Sequence, residues 1–290
     1  MADTPARLIR SWLGRQVPEQ ALLWLDERTE GLDRAYTARD LYTSIGLAPR
    51  KLGKENLRLG PGDLEEAVAM RAGWDPGGLS VDEASRILIL LSVRGIDFKA
   101  LFEDLCRTAE VGELIAFYLG LPLYPGPEKL VGQACEGLRT SMRSVFEAVA
   151  HRSPFPAEQF SEAQWNQMVL KALFVESPLH PIQKLDERSN PELARVLCDF
   201  AQERWAAGRS VPIELWRCVG PHADEAMLAD LTRAFRSDLP LEREAAALAL
   251  NSCNLSEAKA LLDDDVELRD RILKKQLTWG DVITEMHHSN

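Results

Sequence analysis

Three polar side chains occupy positions where a helical wheel calls for apolar ones. Asn166 falls inside the sector of Trp165, Val169, Leu170 and Leu173. Arg204 falls between Leu197 and Phe200 on the stretch 191–207. Arg139 lies on the edge of a stripe in 131–149, beside Cys135, Met142 and Phe146. A polar group buried without a partner costs about 1–3 kcal/mol, and more if charged, so each of the three needs one. Two arrangements answer that need. In the first, Asn166 ties a loop backbone and Arg204 is buried against a carboxylate, with Asp186, Asp199 or Glu136 as candidates. In the second, Arg139, Asn166, Lys171 and Arg204 line a polar cavity that holds an anionic ligand. The stretch 131–219 has ten basic and eleven acidic residues and is nearly neutral. Eight of its ten basic residues are Arg, whose planar fork suits fixed partners or anions.

A second basic patch, Arg50-Lys51-Leu-Gly-Lys54, lies in a stretch that reads as a Gly/Pro-punctuated loop over 46–62. It lacks the spacing of a phosphate-binding P-loop but stands out from an acidic background. It is the other candidate anion site. The string Asp263-Asp264-Asp265-Val-Glu267 has the form DDxxE, which on helices of isoprenoid synthases holds magnesium. With no second such string, it reads as charge at a helix start. Nucleophile elbows, zinc-protease strings and dinucleotide fingerprints are missing, and no catalytic set or cofactor is expected.

A metal is not expected either. The five cysteines, Cys106, Cys135, Cys198, Cys218 and Cys253, form no CxxC pair and read as small core residues. His151, His180 and His222 have no carboxylate or Cys at ligand spacing, and His287 and His288 read as a frayed tail. The 290-residue chain carries 34 basic and 45 acidic residues, a net charge of −11. Such a surface repels nucleic acid and anionic lipid. No run of 18 apolar residues exists, so no transmembrane helix is expected. The start, MADTPARLIRSW, has no signal-peptide core, and a cytoplasmic location follows.

The elements that must position these residues are helices. Apolar residues recur at spacings of three and four, predicting helices near 5–15, 19–31, 36–45, 63–72, 80–93, 97–107, 111–119, 131–149, 161–175, 191–207, 224–236, 240–251, 255–262, 265–275 and 278–286. Ser80/Glu83 and Ser161/Gln164 are capping boxes. Asn190-Pro191 is a helix start, and Gly208 a stop. In 80–93 the run Ile87–Leu91 points in every direction, which predicts a helix buried on all sides; Arg86, its charge, must reach solvent or an acid. Strand alternation is missing. The expected fold is all-α, a single domain over 1–290 of paired antiparallel helices, HEAT-like or an irregular helical array.

Six strings in order resemble the EboA domain-containing proteins: Leu41-Tyr-Thr-Ser-Ile-Gly-Leu-Ala-Pro-Arg-Lys-Leu-Gly-Lys54, Glu136-Gly-Leu-Arg-Thr-Ser-Met-Arg-Ser-Val-Phe-Glu-Ala-Val-Ala150, Trp165-Asn-Gln-Met-Val-Leu-Lys-Ala-Leu-Phe174, Leu185-Asp-Glu-Arg-Ser-Asn-Pro-Glu-Leu-Ala194, Asp199-Phe-Ala-Gln-Glu-Arg-Trp-Ala-Ala-Gly-Arg209 and Leu215-Trp-Arg-Cys-Val-Gly-Pro221. The likeness runs from about residue 20 to about 280. Ser141 stands where the resemblance implies Asn in many relatives. The resemblance implies a bacterial gene cluster, ebo, that makes or moves a secondary metabolite toward the cell envelope. Implied partners are other ebo-cluster proteins, among them a prenyltransferase-like membrane protein, and a small anionic or isoprenoid metabolite. The family brings no catalytic residues. The expected role is a non-enzymatic helical scaffold or metabolite-binding protein. The alternative is an enzyme of unknown class working around Arg139, Asn166, Lys171 and Arg204. The candidate ligand residues are Arg139, Asn166, Lys171, Asp186, Arg188 and Arg204, with Arg50, Lys51 and Lys54.

Overall fold

The computed structural model describes residues 4–288. It is all-helical. Among the described residues there is no strand, and one isolated antiparallel bridge joins Asn56 to Ser80. No helix is long and apolar enough to cross a membrane. The chain forms two compact units, one up to Trp165 and one from Asn166, with the border inside the helix Glu162–Phe174.

The first unit is built around Val81–Leu91, a helix with ten buried residues out of eleven, as its unbroken apolar run requires. Its start is the expected box: Ser80 Oγ accepts from the Glu83 amide, and the Ser80 amide donates to Glu83. Pro5–Gly14, Glu19–Arg34, Ala38–Leu52 and Val111–Leu119 pack against it. Arg86 stays inside and pairs with Asp82 at 2.7 Å. Its Nε also donates to the Ile45 carbonyl at 3.3 Å. That carbonyl needs an outside donor, because Pro49 sits four residues on in Ala38–Leu52 and has no N–H to give it.

Pro49 also marks a correction. The stretch 46–62 does not open into a loop at Gly46: the helix runs on to Leu52 and ends at Gly53, whose φ of +103° suits glycine. Arg50 and Lys51 therefore sit on a helical last turn, where cations meet free carbonyls favourably. The helix expected over 131–149 is two, Val131–Arg139 and Arg143–Ala150. Thr140 is extended, at φ −61° and ψ 153°, and its Oγ1 accepts from the Met142 amide at 3.1 Å. This local side-chain bond replaces a helical one. The break costs Arg139 its place on the stripe.

The second unit centres on Pro240–Ser252. Ala245, Ala246, Ala247, Leu248, Ala249 and Leu250 are all buried there. Glu225–Phe235, Ser256–Asp263, Val266–Leu273 and Trp279–His288 pack on it, as do the short helical turns between Ile213 and His222. Contact is close enough to demand glycine at one point: a Cβ on Gly220 would lie 2.5 Å from the Ala249 carbonyl oxygen. The acidic string takes its expected local role. Asp265 caps Val266–Leu273 by accepting from the Leu268 amide, and Asp263 pairs with Arg269. His287 and His288 are not a frayed tail; they end the helix Trp279–His288.

Candidate functional site

The basic patch of the first unit borders a surface cleft of about 540 Å³. Pro18, Leu23, Trp24 and Glu27 supply one wall from the start of Glu19–Arg34, and Arg50 and Lys51 supply cations from the end of Ala38–Leu52. Leu23 is 56% exposed although it is apolar. The Arg28 guanidinium lies 5.9 Å from the Trp24 ring centre, and its Nε is buried with no hydrogen-bond partner. Arg50, Lys51 and Lys54 are exposed, and no ion pair engages them among the described residues. Ten other Arg side chains of this unit are held in ion pairs or in hydrogen bonds to carbonyls, as the bidentate Arg10–Asp26 pair shows. The cleft thus joins a wall of mixed character, with Leu23 and Trp24 apolar and Glu27 acidic, to uncommitted positive charge.

A second concentration of polar groups lies in the second unit around the segment 177–191, which holds a short helix, Leu185–Arg188. Asn166 and Asn190 exchange amide hydrogen bonds at 3.1 and 2.8 Å. Asn190 Oδ1 also accepts from the Leu193 amide and so caps Pro191–Ala206, while its Nδ2 donates to the Arg188 carbonyl. Asn166 therefore steadies a helix start through a side chain, not through a loop backbone. Asp186 takes a bidentate pair from Arg217 at 2.5 and 2.7 Å. Burial lowers the Arg217 pKa, but the hydrogen bond and charge of Asp186 outweigh it and leave the group above its ordinary value. Ser189 Oγ lies 3.0 Å from His222 Nε2 and gives its own proton to the Asp186 carbonyl. His222 is then the donor in that contact.

Next to Arg217 along the chain, Glu214 is a buried carboxylate. It accepts from the Leu179 amide at 3.0 Å, the His180 amide at 2.7 Å and His180 Nδ1 at 3.1 Å. His180 Nε2 in turn faces His287 Nε2 at 3.4 Å. The sequence reading missed this chain, because 34 residues separate Glu214 from His180 and 107 separate His180 from His287. His180 has its carboxylate after all, supplied by the fold.

Three expected site residues are placed differently from the sequence reading. Arg204 is not buried against a carboxylate. It is half-buried, donates to the Ser210 carbonyl at 2.5 Å and lies over the Phe200 ring at 5.8 Å. Its candidates are committed elsewhere: Asp186 to Arg217, Asp199 to Arg195 and Glu136 to Arg139. Arg139 is exposed and closes only that surface pair. Lys171 is half-buried, with no ion pair among the described residues. Arg139, Asn166 and Arg204 are thus each held by a different neighbour.

The thiols are dormant by environment. Burial pushes Cys106, Cys198 and Cys218 up to about 12, and Cys135 is raised by the same cause. Cys135 is the half-buried one; the other four are buried. A thiolate is the reactive form, so at pH 8 a disulfide reagent will modify Cys135 first and the buried thiols only on unfolding. Mass spectrometry of the labelled peptides checks the order, and early labelling of Cys218 would contradict the packing described.

Compared with known families, residues 6–220 of the chain match EboA, described as a metabolite traffic protein. The chain belongs to the EboA family. No curated protein and no solved structure gives a significant match. The EboA match covers the cleft, the paired asparagines, Arg204 and Glu214, whereas His222 and His287 lie beyond it.

Proposed function

We propose that this protein binds a small anionic metabolite and passes it on without transforming it, in the cytoplasm and in company with other ebo-cluster proteins, including the prenyltransferase-like membrane protein. The observation that carries this reading is the cleft bordered by Trp24, Arg50 and Lys51. Its volume lies in the range of small-molecule sites, roughly 300–1,000 Å³. Leu23 and Trp24 offer an apolar face to a ring or chain, and Arg50 and Lys51 offer charge-assisted hydrogen bonds to a carboxylate or phosphate, with Lys54 three residues on adding positive charge outside the lining. The family's description as a metabolite traffic protein supports the same reading.

The test is thermal unfolding in phosphate against chloride at equal ionic strength. A ligand that binds only the native state adds RT ln(1 + [L]/Kd) to stability, so phosphate will raise the melting temperature of the wild type. Phosphate also stabilises proteins by exclusion from their surface. The comparison is therefore with Arg50→Ala/Lys51→Ala/Lys54→Ala, in which the binding part of the shift disappears. Equal shifts in both proteins would remove the cleft from consideration.

A further inference from the structure

We propose that His180 and His287 are ligands for a divalent transition-metal ion, with Glu214 as the buried carboxylate that orients His180. Neither the family description nor the cleft reading involves this site.

Glu214 Oε1 accepts from the His180 backbone amide and faces His180 Nδ1 at 3.1 Å. A carboxylate has no proton to give, so Nδ1 carries the hydrogen and the Nε2 lone pair of His180 points away from Glu214. What it points at is the other imidazole: the two Nε2 atoms are 3.4 Å apart.

The ring geometry separates two meanings of that contact. A direct N–H···N hydrogen bond prefers a straight approach, and at this length would put the ring centres roughly 5.7 Å apart. The ring centres are 5.1 Å apart and the planes cross at 82°. The ring axes are therefore bent away from the N···N line. Two imidazole nitrogens about 2.0–2.1 Å from one tetrahedral ion lie roughly 3.3–3.4 Å from each other, with ring centres roughly 5.2 Å apart. Both distances in the structure agree with that arrangement.

The surroundings agree as well. Metal-bound histidines characteristically donate their second N–H to a carboxylate, which fixes the ring and raises its basicity. Glu214 does this from a buried position, 5% exposed, held by two backbone amides. His180 is half-buried and His287 is exposed at the end of Trp279–His288, so an ion can enter from solvent. Among the described residues no third His, Cys, Asp or Glu joins them. The ion would keep open positions, filled by water or by an oxygen of an external ligand. Imidazole pairs of this kind suit Zn²⁺, Ni²⁺ or Cu²⁺ more than Mg²⁺ or Ca²⁺. His287 would bind through the Nε2 lone pair, with its ring proton on Nδ1.

The experiment uses the full chain without a polyhistidine tag. Zn²⁺ is titrated calorimetrically, and Co²⁺ is followed by its visible absorption. The wild type will take up one equivalent, and Mg²⁺ will not compete. His287→Ala alters an exposed side chain, should leave the fold intact by circular dichroism, and will abolish that equivalent; His180→Ala will do the same. Glu214→Gln will weaken binding about 10–100-fold, and His288→Ala will leave it unchanged. Wild type without a Zn²⁺ site, or His287→Ala binding as tightly as wild type, overturns the proposal.

Discussion

Arg86→Ala will lower the melting temperature of the protein by roughly 6–20 °C, on about 3–5 kcal/mol for breaking a buried ion pair and about 2–4 °C per kcal/mol in a folding unit of this size. Arg86 is 6% exposed and Asp82 7%. Truncation leaves the Asp82 carboxylate without its cation, and Ser80 Oγ, at 2.7 Å, remains its neutral donor. It also strands the Ile45 carbonyl, which Pro49 cannot serve. A second helix is affected too, since Arg86 reaches the Gly112 carbonyl of Val111–Leu119. The discriminating comparison is Asp82→Ala/Arg86→Leu. With both charges gone and the volume partly kept, it will lose less than the two single variants together. Thermal unfolding followed at 222 nm reads all of them, and a single-variant shift under 3 °C would mean that water reaches Arg86.

Glu214→Ala will have the second large effect. Two backbone amides, of Leu179 and His180, depend on this one carboxylate. Each buried donor left unpaired costs about 1–3 kcal/mol, which together lowers the melting temperature by roughly 10 °C. Glu214→Gln keeps one acceptor oxygen but turns an NH₂ toward a donor, so it will fall between wild type and alanine. Native-state hydrogen exchange gives the local reading. The Leu179 and His180 amides will exchange faster in Glu214→Ala, while His287→Ala leaves them protected. Unchanged protection would sink the account of Glu214 as the tie that holds the 177–180 backbone.

The helices were legible in the sequence where start and stop signals are local. Ser80 with Glu83, Ser161 with Gln164, and Asn190 with Pro191 all act as read. Arg86 was legible up to a choice between solvent and acid, because the acid stands four residues before it on the same helix face. Arg204 was misread. A wheel assigns a direction to a Cα–Cβ bond, whereas an arginine carries its charge several bonds further and can run along the helix to a carbonyl six residues on. Arg139 was misread because the apolar spacing stays in phase across the break at Thr140, and periodicity alone does not register a two- or three-residue gap. Glu214, His180 and His287 left no trace in local spacing, since only tertiary folding brings them together.

The helix Pro240–Ser252 has a consequence for where this protein could be cut. The family match ends at residue 220, but the turns just before that point, from Ile213 to Val219, rest on a helix that starts twenty residues later. The alanine row that accepts Gly220 lies beyond the matched segment. A gene fragment trimmed to the matched segment would carry half of an interface and leave its apolar side to the solvent. The helix Pro240–Ser252 thus completes a packing surface that the matched segment begins, and the two stretches fold as one body.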